Sequence, residues 1–300
     1  MRSVIITGVN GFIGSHLAKY YLSKNHKVIG IGIEETCNIN EVNYFSADIL
    51  TVGLDSILNE NNADLIIHCA GNASVPESVK KPLFDFSLNT TMVYRLMESC
   101  KKYPNLKIIN LSSASVYGNP KQLPIKETDE ELPISPYALN KMLAEKICNY
   151  YRRNFNVDVV NVRIFSAYGP GLKKQLFWDM FQKIKSTGRL DLFGTGKESR
   201  DYIYIDDLVQ AIDIIAQNSD KPLINIANGE ESTIRQVAEH FVDCAGLSRD
   251  IISFNQKSRE GDPLNWRADI SYLKELGYEK KISLDEGISR YYKWVNSIEE

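Results

Sequence analysis

Residues 4–14, VIITGVNGFIG, constrain what this chain can fold into more tightly than any other stretch. The apolar run Val4–Thr7 has the length of a buried strand, and Phe12–Ser23 carries apolar residues at helical spacing. Between them stand Gly8, Gly11 and Gly14. A strand that passes into a helix through such a turn uses one glycine to reverse the chain. A second lets a ligand approach the backbone, and a third brings helix and strand together. The helix start then offers the N–H groups of Phe12, Ile13 and Gly14, with the positive end of the helix dipole behind them. This predicts a dinucleotide diphosphate seated on Gly8, Gly11, Phe12, Ile13 and Gly14.

Short apolar runs and helical patterns go on alternating through the first half. Strands are expected at Val4–Thr7, Lys27–Ile31, Asn43–Phe45, Leu65–Cys69, Lys107–Leu111 and Val157–Arg163, and helices at Phe12–Ser23, Pro82–Lys102 and Pro136–Asn154. That alternation predicts an α/β fold: a Rossmann-like, doubly wound parallel sheet that binds its ligand beyond the carboxyl ends of the strands. Glycine and proline then cluster at Tyr168–Gly171, a helix is expected over Leu176–Thr187, and shorter elements follow. The expected division is a dinucleotide-binding domain over 1–165 and a smaller α/β substrate lobe over 166–300. Segments such as Tyr202–Ile214 are candidates to return to the first domain.

Composition narrows the partners. A net charge of -3 gives nucleic acid or an anionic membrane no general attraction. Cys37, Cys69, Cys100, Cys148 and Cys244 are odd in number and never spaced C-x-x-C, which points to reduced thiols in the cytoplasm. The four histidines are dispersed, so no metal site is expected. No apolar run reaches membrane-spanning length, and no signal-peptide layout opens the chain.

The dinucleotide turn usually works with an acid at the end of the second strand, which binds the adenosine ribose. Here that place in HKVIGIGIEE holds Gly32. Glycine leaves room for a 2′-phosphate, so the expectation leans to NADP(H) over NAD(H). Glu34 and Glu35 stand close enough in sequence to reach a ribose instead.

Hydride chemistry on an alcohol or ketone needs a proton donor, and a tyrosine beside a cation suits it. Tyr137 and Lys141 lie four apart on an expected helix and so share a face. Tyr20/Lys24, Tyr103/Lys107 and Tyr117/Lys121 have the same spacing. Only Tyr137/Lys141 opens a helix that follows the fifth strand and its serine-rich end, NLSSASVYG, where Ser112 and Ser113 fall.

In this order TGVNGFIG, FSADIL, IHCAG, LNTT, LSSASVYG, SPYALNK, RIFSAYGPG, LFGTGKESRDYIYIDD and REGD run through nearly the whole chain. Together they resemble the extended short-chain dehydrogenase/reductases, specifically the nucleotide-sugar epimerases, dehydratases and reductases. The resemblance implies adenine contacts at Asp48 and Ile49 and further cofactor contacts at Ala70, Gly71 and Asn89. It implies Ser113, Tyr137 and Lys141 as the catalytic set, with Lys141 also on the nicotinamide ribose. It implies substrate contacts at Ser166, Arg200, Arg259 and Asp262, a nucleotide-diphosphate sugar as substrate, and a homodimer through the Pro82–Lys102 and Pro136–Asn154 helices.

Three positions depart from the family pattern. Ala114 and Ser115 stand where 4,6-dehydratases carry Asp–Glu, which argues against dehydration. Ser166 replaces an asparagine common in 4-epimerases, and Gly32 replaces the acid that favours NAD. The leading expectation is therefore a 4-keto reductase of a nucleotide-linked 4-keto-6-deoxyhexose, with hydride to C4 and Tyr137 as proton donor. A 4-epimerase of the UDP-glucose type stands beside it, and a non-catalytic dinucleotide sensor is the alternative from another class.

Overall fold

A computed structural model describes residues 2–257, 261 and 263–298; Arg259 and Asp262 lie outside the described residues. The first strands are β1 (Ser3–Thr7), β2 (Lys27–Gly32), β3 (Asn43–Ser46), β4 (Leu65–His68), β5 (Lys107–Ser113) and β6 (Asp158–Ile164). Most of their residues are buried on both faces, as near-continuous apolar runs in a covered parallel sheet require. Downstream, β7 (Ser166–Tyr168), β8 (Leu190–Leu192), β9 (Ser199–Arg200) and β10 (Tyr202–Tyr204) precede β11 (Leu223–Ile226).

The central sheet has seven parallel strands in the order β11-β6-β5-β4-β1-β2-β3. It is the doubly wound, Rossmann-like α/β fold expected. Strand order reverses between β1 and β4, where Thr7 pairs with His68. The crevice beyond the carboxyl ends at this point is where such sheets bind ligands.

Alternate residues of each strand serve opposite faces. Val4 and Ile6 pack with Leu17 and Tyr21 of α1 (Phe12–Ser23) and with Leu208 and Ile212 of a helix at Ile205–Asn218. Ile5 and Ile66 pack on the other side with Leu96 and Met97 and with Ala144, Cys148 and Tyr151. The helices on the way are α2 (Asp55–Asn61), α3 (Val75–Lys80), α4 (Pro82–Phe86), α5 (Met92–Cys100), α6 (Pro136–Phe155), α7 (Gln175–Thr187) and α8 (Ile205–Asn218). The single helix expected over Pro82–Lys102 is thus divided. A π-helical turn at Ser87–Thr91 separates α4 from α5, an insertion of the kind that gathers at functional sites.

Beyond Ile164 the chain builds three small two-stranded sheets. β7 pairs with β10, β9 with Ser232–Thr233, and β8 with Ile252–Phe254. α7, Ile234–Cys244 and Leu284–Ser297 pack through the rings of Phe177, Phe241 and Tyr291. β11 returns to the main sheet beside β6, and α8 packs on α1. Among the described residues no helix is long and apolar enough to cross a membrane.

Candidate active site

The glycine turn is shaped by space. Gly8 holds φ +66°, a region side chains rarely occupy, and a Cβ there would stand 2.9 Å from the Ala70 backbone. A Cβ on Gly14 would stand 2.2 Å from the Gly8 carbonyl oxygen. α1 starts at Phe12 with Gly11 as N-cap, no capping side chain and no acid in its first turn. Its leading N–H groups therefore have no internal acceptor, which fits the diphosphate of a nicotinamide dinucleotide. Gly14→Ala is expected to cost about 1–3 kcal/mol, because backbone is what the methyl would strike. A lowered melting temperature with loss of retained dinucleotide would show it; an unchanged melt would contradict this account of the turn.

At the end of β2 the structure corrects the reading of Gly32. The space a side chain would fill is taken by the Glu34 carboxylate, whose Oε2 lies 2.7 Å from the ideal Cβ position, and by Tyr44 Oη at 2.9 Å. Asn10 Nδ2 donates to Glu34 Oε2 at 3.3 Å and to the Thr36 carbonyl at 2.9 Å, while Tyr44 Oη donates to the Glu34 carbonyl at 2.7 Å. Asn10, Glu34 and Tyr44 thus form one hydrogen-bonded corner with a carboxylate beside Gly32. The room expected for NADP(H) is occupied by a carboxylate two residues further on.

Asp48 and Ile49 follow β3 at the same edge. One Asp48 oxygen accepts the Leu50 N–H at 2.8 Å, and Ile49 is buried in the core. Across the switch point Ala70 and Gly71 leave β4. Ala70 donates its N–H to Thr7 Oγ1 at 3.2 Å, and Thr7 Oγ1 lies 2.8 Å from His68 Nδ1. Asn89 sits in the π-helical turn, 1 % exposed, with Nδ2 donating to Asp85 and its Oδ1 buried without a partner against Gly71.

Ser113, Tyr137 and Lys141 come together at the carboxyl end of β5. Ser135 caps α6 by accepting the Ala138 N–H at 3.2 Å, and Pro136 sets its first turn, so Tyr137 emerges at the crevice. The Tyr137 N–H is tied to Ser78 Oγ at 3.1 Å. Lys141 Nζ stands 5.9 Å from the centre of the Tyr137 ring and donates to the Leu111 carbonyl at 2.9 Å. Ser113 Oγ accepts the Ser115 N–H at 3.1 Å, which leaves its own hydrogen to donate. Tyr137 departs from the sequence expectation in one respect. Burial pushes its hydroxyl up to about 12 against the pull of the Ser113 hydrogen bond, instead of a cation drawing it toward neutrality. Burial likewise pushes Lys141 down to about 8, opposed first by Asp85.

Of the other expected contacts, Ser166 and Arg200 come together beyond β6, while Arg259 and Asp262 lie outside the described residues. Ser166 pairs with Tyr202 and donates its N–H to the Asp201 carbonyl at 3.0 Å, which brings it beside Arg200. The Arg200 guanidinium lies 5.5 Å from the Trp266 ring, and its Nη1 donates to the Ser199 and Leu264 carbonyls. Asp201 pins this region: its carboxylate accepts the N–H groups of Asn228, Gly229 and Ala268. Trp266, Asp201 and Asp85 are the residues that sequence reasoning did not single out.

The family model described as NAD dependent epimerase/dehydratase family matches residues 4–227. The chain is 30% identical over 302 residues to UDP-glucose 4-epimerase of Mycolicibacterium smegmatis, covering 95% of this chain and 96% of that one. Among solved structures it is similar to UDP-N-acetylglucosamine 4-epimerase from Methanobrevibacter ruminantium M1 in complex with UDP-N-acetylmuramic acid. That match has a TM-score of 0.90, 28% identity and 99% coverage of both chains. It is also similar to UDP-glucuronic acid 4-epimerase from Bacillus cereus in complex with UDP-glucuronic acid and NAD. There the TM-score is 0.88, with 29% identity and 99% coverage of both chains.

Proposed function

Because the chain belongs to the NAD-dependent epimerase/dehydratase family, we propose that it is a 4-epimerase of a nucleotide-diphosphate hexose working with NAD. At the coarser level it is an NAD-dependent enzyme that modifies nucleotide sugars. The observation that carries the finer reading is the Glu34 carboxylate folded over Gly32, which favours a free adenosine ribose. The 4-keto reductase expectation drew on room for a 2′-phosphate at that place, so its main support is gone. Ala114 and Ser115, in place of two acids, argue against dehydration. The meeting of Ser113, Tyr137 and Lys141 argues against a sensor without catalysis.

When bound, the dinucleotide supplies the hydride acceptor for the sugar C4 and a positive ring beside it. The protein's part is proton handling and orientation. Ser113 Oγ donates to the C4 oxygen, and Tyr137 Oη takes the C4 hydroxyl proton and later returns it. The Lys141 ammonium stabilises the phenolate that takes this proton and is restored when the proton is returned. Arg200, steadied on Trp266, supplies a guanidinium to the substrate diphosphate.

The direct test is to purify the protein, release bound cofactor with acid and identify it. The protein is then given UDP-glucose, UDP-N-acetylglucosamine and UDP-glucuronic acid in turn, with no added cofactor. Bound NAD and interconversion at C4 are expected for one of them. Stoichiometric NADPH oxidation by a nucleotide 4-keto-6-deoxysugar, with no interconversion, would overturn the proposal in favour of the reductase.

A homodimer is part of this reading. Leu83 (83 % exposed), Phe84, Tyr94 and Tyr150 put large apolar groups on the outer side of α4, α5 and α6, more than an isolated surface needs. Leu83→Glu is expected to shift the species seen by light scattering from dimer to monomer. A monomeric wild-type protein would refute this part.

A further inference from the structure

We propose that Asp85 is a positioning residue of this site: it orients Asn89 and Asn140 and supplies the negative charge that Lys141 faces. Asp85 is 1 % exposed on the short helix α4. Its Oδ1 accepts from Asn72 Nδ2 at 2.7 Å and from Asn89 Nδ2 at 3.0 Å, and its Oδ2 accepts from Asn140 Nδ2 at 2.6 Å. These donors come from the loop after β4, the π-helical turn and α6, so one carboxylate ties together the three walls around Lys141. All three are neutral amides, and among the described residues no salt bridge to Asp85 occurs. Amide donors bring no charge to offset a buried carboxylate, and such a charge is costly unless a cation stands near.

Lys141, the residue after Asn140, is that cation. The groups facing it are few. From β5 the Leu111 carbonyl accepts its hydrogen bond. From β4 and the residue after it come His68, which burial and Lys141 hold neutral with its pKa near 3, and Cys69, whose thiol burial pushes up. From α6 itself come Tyr137, Cys148 and Glu145. The Cys148 thiol is also pushed up by burial. Glu145 is already taken. Arg163 reaches it through Nε at 3.0 and 3.2 Å and Nη2 at 2.6 Å, and Ser112 Oγ donates to it at 2.5 Å. Asp85 is therefore the one carboxylate in this set without a guanidinium on it. It is also the first group that opposes the effect of burial on Lys141. Its hold on Asn89 has a second consequence. With Nδ2 committed to Asp85, the amide turns its acceptor oxygen toward Gly71, the turn beside the expected cofactor path.

This inference uses the same site as the proposed epimerase, but its test does not use the proposed reaction. The intact protein is pulse-labelled with acetic anhydride across about pH 6 to 10, and acetylation of the Lys141 peptide is read by mass spectrometry. Asp85→Asn is expected to lower the midpoint of Lys141 labelling by about one pH unit or more, while Asp85→Glu leaves it within about half a unit. An unchanged midpoint in Asp85→Asn overturns the proposal. Should that variant not fold, Asp85→Ser is labelled in the same way. A Lys141 midpoint lowered there by about one pH unit or more supports the proposal, and an unchanged one overturns it.

Discussion

Tyr137→Phe is expected to lower kcat for sugar interconversion by about three orders of magnitude, within the range a positioned acid–base group contributes. The change removes one oxygen. It leaves the Tyr137 N–H on Ser78 Oγ, the ring in its buried place and the start of α6 capped by Ser135. Retained NAD and KM should change little, because the groups proposed to hold the nucleotide and its diphosphate lie elsewhere, at Glu34, the glycine turn and Arg200. Burial keeps the hydroxyl protonated through neutral pH, up to about 12, within the protein's own surroundings. The proton therefore moves only when substrate and cofactor alter those surroundings. The measurement is kcat with the hexose that wild type interconverts, together with NAD released per chain. A variant that keeps more than about a tenth of the activity would remove Tyr137 from its proposed role.

What could be read from sequence was what neighbours in the chain decide. Phe12–Ser23 forms the helix expected because the preceding turn and the apolar spacing are both local. Tyr137 and Lys141 share a face because four residues on a helix leave no choice. Ser113 follows directly on the expected strand Lys107–Leu111, which in the structure runs on to end at Ser113 itself. What could not be read depends on the folded surroundings. Gly32 looked like free space, yet the chain bends after β2 so that Glu34 fills it, and nothing in the order of the residues states where that carboxylate turns. Nothing in the order of the residues sets Asp85 apart, since an acid beside Pro82, Leu83 and Phe84 more often faces water. Only the π-helical turn and α6 close over it. Tyr137 departs from expectation for a similar reason: the Ser113 hydrogen bond lowers its hydroxyl, but burial acts more strongly in the other direction.

His68 gives the second large effect, on stability. The Thr7 hydroxyl accepts the Ala70 N–H at 3.2 Å and shares a buried hydrogen bond of 2.8 Å with His68 Nδ1. A second proton on the ring would add a positive charge in a buried place beside Lys141. Burial first, and the ammonium second, hold the pKa of His68 near 3 where a free histidine has 6.5. Above pH 6.5 the ring is neutral in both folded and unfolded chains, and this contribution to stability is complete. As pH falls below 6.5 only the unfolded chain takes up the proton, so stability is lost progressively until about pH 3. Between pH 7 and 5 that amounts to about 2 kcal/mol from this one residue. His16, also lowered by burial, adds in the same sense, while Asp201, raised to about 7, works in the opposite one. Comparison with His68→Asn removes both, since the variant shares them. Urea unfolding at the two pH values should therefore show the wild-type protein losing about 2 kcal/mol more than the variant, even if the variant is the less stable of the two at pH 7. Equal losses would mean that His68 takes up its proton in the folded chain, and that the seal between Thr7 and Lys141 is looser than these contacts require.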